Sequence, residues 1–153
     1  MKGALCATLL GGAVLAGCSS SGKTYPDALP KNVHVRADTS SQVRAAVHIH
    51  RVDAKCLTEY EGTLQLDRPA VELGVPAGRS SVLAVTFSTS SLLAGSSTSA
   101  RYATLLTPRA GYRYDVEVKY RENIYGVTIR EIDPRRSSSR EIERRDPASC
   151  KAL

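Results

Sequence analysis

From Tyr112 to Arg121 the chain reads Tyr-Arg-Tyr-Asp-Val-Glu-Val-Lys-Tyr-Arg, an unbroken alternation of apolar or aromatic residues with charged ones. A strand places successive side chains on opposite faces. Tyr112, Tyr114, Val116, Val118 and Tyr120 therefore share one face, and Arg113, Asp115, Glu117, Lys119 and Arg121 the other. A helix would scatter the five apolar residues around its circumference. The segment predicts a strand with one face on a core and the other in water. Pro108-Arg109-Ala110-Gly111 before it and Glu122-Asn123 after it supply turn chemistry, and Ile124 to Ile132 reads as the returning arm of a hairpin.

The same period recurs elsewhere. Val43, Ala45, Val47 and Ile49 fall on one face of a strand, with Arg44, His48 and His50 on the other. Tyr60, Leu64 and Leu66 continue the pattern, as do Val71, Leu73 and Val75, and Pro76-Ala77-Gly78 follows as a turn. Val82 to Phe87 is nearly all apolar, as in a strand covered on both faces. About eight strands with short connections and no internal helix predict an all-β fold, an antiparallel β-sandwich or a small barrel. Parallel pairing lacks its usual crossovers. After Pro134, Ser137 to Ser139 predicts a capped helical turn through Glu141, Ile142 and Arg145 in a short C-terminal tail.

The N-terminus has a different character. Met1-Lys2 precedes an apolar run from Ala4 to Leu15 that contains no acid. This suits a secretory signal and is shorter than the roughly 20 apolar residues of a spanning helix. The run ends in Leu15-Ala16-Gly17-Cys18, which resembles the lipobox of bacterial lipoproteins. The resemblance implies that residues 1–17 are a signal peptide cleaved after Gly17 and that Cys18 carries the lipid anchor, with acyl chains of the palmitate type. Ser19 stands where inner-membrane retention uses Asp, which implies the periplasmic face of the outer membrane. Each buried methylene adds about 0.8 kcal/mol, so two or three acyl chains hold the protein on the membrane by themselves. Residues 18–31, with Ser-Ser-Ser-Gly and two prolines, read as a flexible lipidated tether, and residues 32–153 as a single domain.

Lys2 leaves with the signal, so 20 of the 21 Lys and Arg remain against 15 Asp and Glu, a net +5. These cations are interspersed with acids, which argues against nucleic acid as a partner. The positive balance fits lipid headgroups, another envelope protein or cell-wall polymer. Cys6 leaves with the signal and Cys18 takes the lipid, so Cys56 and Cys150 remain to form a disulfide in an oxidising compartment. A loop of that length stabilises a fold by roughly 4 kcal/mol on the chain-entropy account.

The sequence nominates no catalytic group and no cofactor. There is no Gly-x-Ser-x-Gly elbow and no phosphate-cradling glycine motif. His48 and His50 lie about 7 Å apart on one strand face, and with His34 from a neighbouring strand they are weak candidates for a zinc site. Ser88 to Ser99 reads as a long polar loop with Leu92 and Leu93 at its centre, placed either to cap the sandwich or to anchor a partner. Thr98-Ser99-Ala100-Arg101-Tyr102, followed by Thr107-Pro108-Arg109, is loosely similar to the paired motifs of membrane-bound lysozyme inhibitors, which are small β lipoproteins. That family's first-motif glycine and second-motif lysine-glycine are absent here, and basic lysozymes would repel a +5 domain. The expectation is a membrane-anchored periplasmic lipoprotein acting as a non-catalytic binding or assembly module of the cell envelope. The alternative is an accessory subunit of an envelope secretion or transport complex.

Overall fold

The computed structural model describes residues 22–40, 42–91, 96–122 and 124–150. Nine strands appear among them: β1 (Val33–Thr39), β2 (Val43–Val52), β3 (Thr58–Gln65), β4 (Ala70–Leu73), β5 (Ser81–Ser91), β6 (Ser96–Leu106), β7 (Arg113–Arg121), β8 (Ile124–Asp133) and β9 (Ser138–Glu141). They form a five-stranded sheet in the order β4-β1-β7-β8-β9 and a four-stranded sheet in the order β3-β2-β5-β6, packed face to face as a β-sandwich and not closed into a barrel. The alternating segment is the central strand of the larger sheet. Tyr114, Val116 and Val118 are 0, 1 and 0% exposed, and Val47, Ile49, Leu83, Val85 and Phe87 face them from the smaller sheet. Removing each such side chain from water contributes about 1.5–3 kcal/mol.

Four features depart from the sequence reading. The first is that β1 pairs with β7 in parallel, from Val33↔Tyr114 to Thr39↔Tyr120, while every other strand pair is antiparallel. No helical crossover is needed, because the chain builds the whole four-stranded sheet between the two strands.

The second departure is in β3, whose register against β2 shifts between Ile49 and His50. The shift leaves Leu64 against the core and turns Tyr60 to the outer surface. A bulge of this kind bends a strand and re-aims its side chains.

The third concerns the segment expected to be a flexible tether as far as Lys31. Its latter part is folded. Thr24 bridges Thr63 of β3, Tyr25 enters the core, and its hydroxyl donates to the Gly74 carbonyl at 2.7 Å. Asn32 then donates its amide to Leu73, and its side chain exchanges two hydrogen bonds with Val75. The strap thus runs from the edge of one sheet to the edge of the other. A Cβ on Gly62 would lie 2.5 Å from the Tyr25 Cα, so only glycine lets the strap cross β3 there. One apolar ring among polar neighbours gave a weak signal in sequence, and its packing into the core with a bond to the Gly74 carbonyl decided the outcome.

The fourth is the C-terminal tail. Ser138–Glu141 is not helical but forms β9 on the edge of β8, after a turn in which the Asp133 carboxylate accepts from the Arg135 amide. Four residues are too few for a stable helix, whereas an open sheet edge offers each of them a backbone partner. The chain then crosses between the sheets. Ile142 donates to Ile129 on β8, and Arg145 accepts from Leu105 on β6. Asp146 caps the 3-10 turn at Pro147–Ser149, and Cys150 packs on Val52, Val82 and Leu105 on the outer face of the smaller sheet. There it is bonded to Cys56, as expected from the sequence.

Two stability measurements check this architecture. Val116→Asp buries an unpartnered charge and is expected to cost several kcal/mol, a large share of the roughly 5–15 kcal/mol of a domain. Glu117→Ala, on the solvent face, should cost no more than about 0.5 kcal/mol, and similar melting temperatures for the two variants would contradict the register. Unreduced peptide mapping should recover Cys56 joined to Cys150, and replacing both with Ser should lower stability by roughly 4 kcal/mol in urea titrations.

Candidate functional site

The three histidines do not converge. His34 is on β1 in the larger sheet, where its Nδ1 lies 3.1 Å from Glu72, while His48 and His50 are on β2 in the other sheet. Strand assignment decided this, and spacing within one strand carried no information about it. Thr63 and Thr86 hydroxyls sit 2.7 and 2.9 Å from the two ring nitrogens of His48, and the His50 ring packs on Tyr60. Among the described residues no group of three His, Cys, Asp or Glu is placed to hold a metal ion. The motifs that loosely match lysozyme inhibitors also stay apart. Thr98 lies near the start of β6 and Thr107 just past its end, nine residues of extended chain or roughly 30 Å from one another.

A second cluster was not legible in sequence. Glu131, on β8, is 4% exposed, yet it reads as one of the charges of an alternating hairpin arm. Its carboxylate accepts from the Tyr114 hydroxyl at 2.7 Å, from Arg140 at 2.8 Å and from Arg109 at 3.2 Å. Burial, reinforced by the Glu131 hydrogen bond and charge, pushes the Tyr114 hydroxyl up to about 12. Burial also works against ionisation of Glu131, but the bonds from Tyr114 and Arg140 outweigh it and hold the carboxyl below its ordinary range. Arg109 stacks on Tyr112, whose hydroxyl donates to Asp133. Each member of the cluster is satisfied by another, so it locks the β6–β7 connection and the β8–β9 turn onto the sandwich.

The apical end, which carries the β5–β6 and β7–β8 tips, has a different surface. Ser88 to Ser99, expected as a loop, is mostly hairpin: β5 and β6 pair without interruption from Ser81↔Leu106 to Ser91↔Ser96. Polar side chains concealed it. Pairing draws on backbone groups, and β2 begins only at Val43, opposite Thr89, so beyond that point β5 pairs with β6 alone among the described strands. Leu92 and Leu93 lie outside the described residues.

Beneath this hairpin Phe87 meets Tyr125 and Tyr120, with ring centroids 5.4 and 5.8 Å away. Thr89, Thr98, Ser99 and Ala100 complete a groove of about 370 Å³, within the range of roughly 300–1,000 Å³ usual for ligand pockets. Tyr125 is 43% exposed, and Ile124 beside it is 73% exposed. Aromatic rings form the floor and hydroxyls the rim, with no acid, imidazole or thiol among the lining residues. Such a surface offers apolar contact and hydroxyl hydrogen bonds to a bound molecule. No family model and no curated protein matches the chain.

Burial lowers the pKa of His48, helped by the charges of His50 and Arg101, and burial with Arg101 lowers that of His50. The unfolded chain therefore binds these protons first, at about pH 6.5. Stability is full above that value and declines as pH falls through the folded-state values. The melting temperature should drop between pH 7 and 5, and His48→Gln with His50→Gln should flatten that part of the profile.

Proposed function

We propose that the protein is a lipoprotein anchored on the periplasmic face of the outer membrane, whose sandwich is a non-catalytic binding or assembly module of the cell envelope. The observation that carries this reading is Leu15-Ala16-Gly17-Cys18 behind its apolar run, five residues ahead of Lys23, whose carbonyl accepts from Thr63. Five extended residues reach at most about 18 Å, so an acyl group on Cys18 would hold the β3 edge close to the membrane. The Cys56–Cys150 bond supports an exported location, since such bonds persist in oxidising compartments. It also uses the other two cysteines of the processed chain, leaving the Cys18 thiol for the lipid.

The aromatic groove supports binding in place of catalysis. Its lining has apolar area and hydroxyls, while the Glu131 carboxylate is enclosed in its own cluster and His48 is held between threonines. The partner is another envelope protein or cell-wall polymer. Cys18→Ser should abolish incorporation of labelled palmitate and release the protein into the soluble periplasmic fraction. Membrane association equal to wild type would overturn the anchoring.

A further inference from the structure

We propose that the apical edge of β6 takes up an extended segment of a partner polypeptide, which pairs with it as an added strand and sets alternate apolar side chains over Tyr120 and Tyr125, the rings that cover the buried Phe87. The inference rests on the reading of the sandwich as a binding module. Of the two partner classes it selects the envelope protein.

The two sides of the sandwich are closed unequally. On the β3–β4 side the strap inserts Tyr25, and the β3–β4 connection completes the closure, with Leu66 donating to Ala45 and Ala37 to Pro69. On the β6–β8 side the C-terminal segment reaches only the basal half. Leu105 donates to Arg145, and Ala103 accepts from the Arg144 side chain. Backbone groups of a strand alternate in direction, so Arg101 and Ser99 continue this outward row. Among the described residues no strand lies beside them. Across the gap Ile129 accepts from Ile142, and by the same alternation Val127 and Tyr125 present the next outward groups of β8, beyond the end of β9.

Exposed edges are usually short, bulged or blocked by proline or lysine. The β6 edge is none of these: its eleven pairs with β5 run without a register shift, and Ser96 to Leu106 contains neither Pro nor Lys. A row of alternating donors and acceptors matches a peptide backbone and little else, which favours a polypeptide over a glycan. The groove beside Ser99 offers the apolar floor that every second side chain of an added strand would meet. The protein's own strap uses the same mode on the opposite side, where Thr24 bridges β3 and Tyr25 points into the core. On the outer face Arg101 has no carboxylate within ion-pair reach among the described residues, so a partner strand with an acid at the neighbouring position gains a cross-strand pair.

The probe is a display library of nine-residue peptides screened against the full lipidated protein in detergent micelles. Selected peptides should alternate apolar and polar residues, carry an acid, and slow hydrogen exchange at Ser99 and Arg101. Methylating alternate backbone nitrogens of a selected peptide should weaken binding at least tenfold in one phase and leave it unchanged in the other. Ser99→Pro should weaken binding at least tenfold with little change in melting temperature, because proline is tolerated on an open edge. Tyr125→Ser should weaken it as well.

Failure to select any peptide, or equal binding of both methylated forms, would overturn the proposal. Concentration-dependent dimers with protection on β6 would assign the edge to a second copy and overturn it too. Sedimentation with isolated cell-wall sacculi in the absence of peptide binding would overturn the added strand and leave the binding module standing, whereas loss of both would remove that reading as well.

Discussion

Two packed sheets bury their inner faces but leave two sides open, and in this protein two terminal segments of the chain close one side and the basal half of the other. The N-terminal strap inserts Tyr25 between β3 and β4, and the C-terminal segment links β8 to β6 through Ile142 and Arg145. Neither segment could hold this shape alone. Each is ordered by edge hydrogen bonds and by one or two apolar side chains that fill the gap between the sheets. Both straps in turn depend on the parallel β1–β7 pair, which joins the first strand to the last large hairpin and brings the two ends of the chain onto one sandwich.

The base of the molecule is held by covalent and charged contacts. Cys150 fixes the tail to the β2–β3 turn and completes a small apolar cluster on the outer face of the smaller sheet. The Glu131 cluster ties the β6–β7 connection to β8 and β9. A buried carboxylate is costly unless every lone pair is met, and here a phenol and two guanidinium groups meet them. The apical end has no equivalent. Its surface is aromatic and hydroxylic, its hairpin extends beyond β2, and half of one side has no covering strand among the described residues.

Toward the base the C-terminal segment covers the β6 edge, while toward the apex no strand lies beside Ser99 and Arg101 among the described residues and the Tyr125 ring is exposed. Exposed strand edges and apolar patches carry a solubility cost that proteins ordinarily suppress.

Period-two patterning by itself determined most of the strands, the inward set from Val43 to Ile49 and from Tyr114 to Val118, and hence the all-β fold, leaving sandwich or small barrel open. It could do so because burial of alternate residues is a local property of a strand. The Cys56–Cys150 pairing was also legible, since once Cys6 and Cys18 are assigned to the signal and the lipid only one pairing within the chain remains. Only the tertiary structure decided what depends on neighbours distant in sequence. His34 was separated from His48 and His50 by sheet assignment, and Glu131 was buried by a phenol and two arginines from other elements. Tyr25 was drawn into the core from a segment that reads as a linker. Ser88 to Ser99 became strand because a facing arm supplied its hydrogen bonds, a partnership that side-chain polarity does not encode.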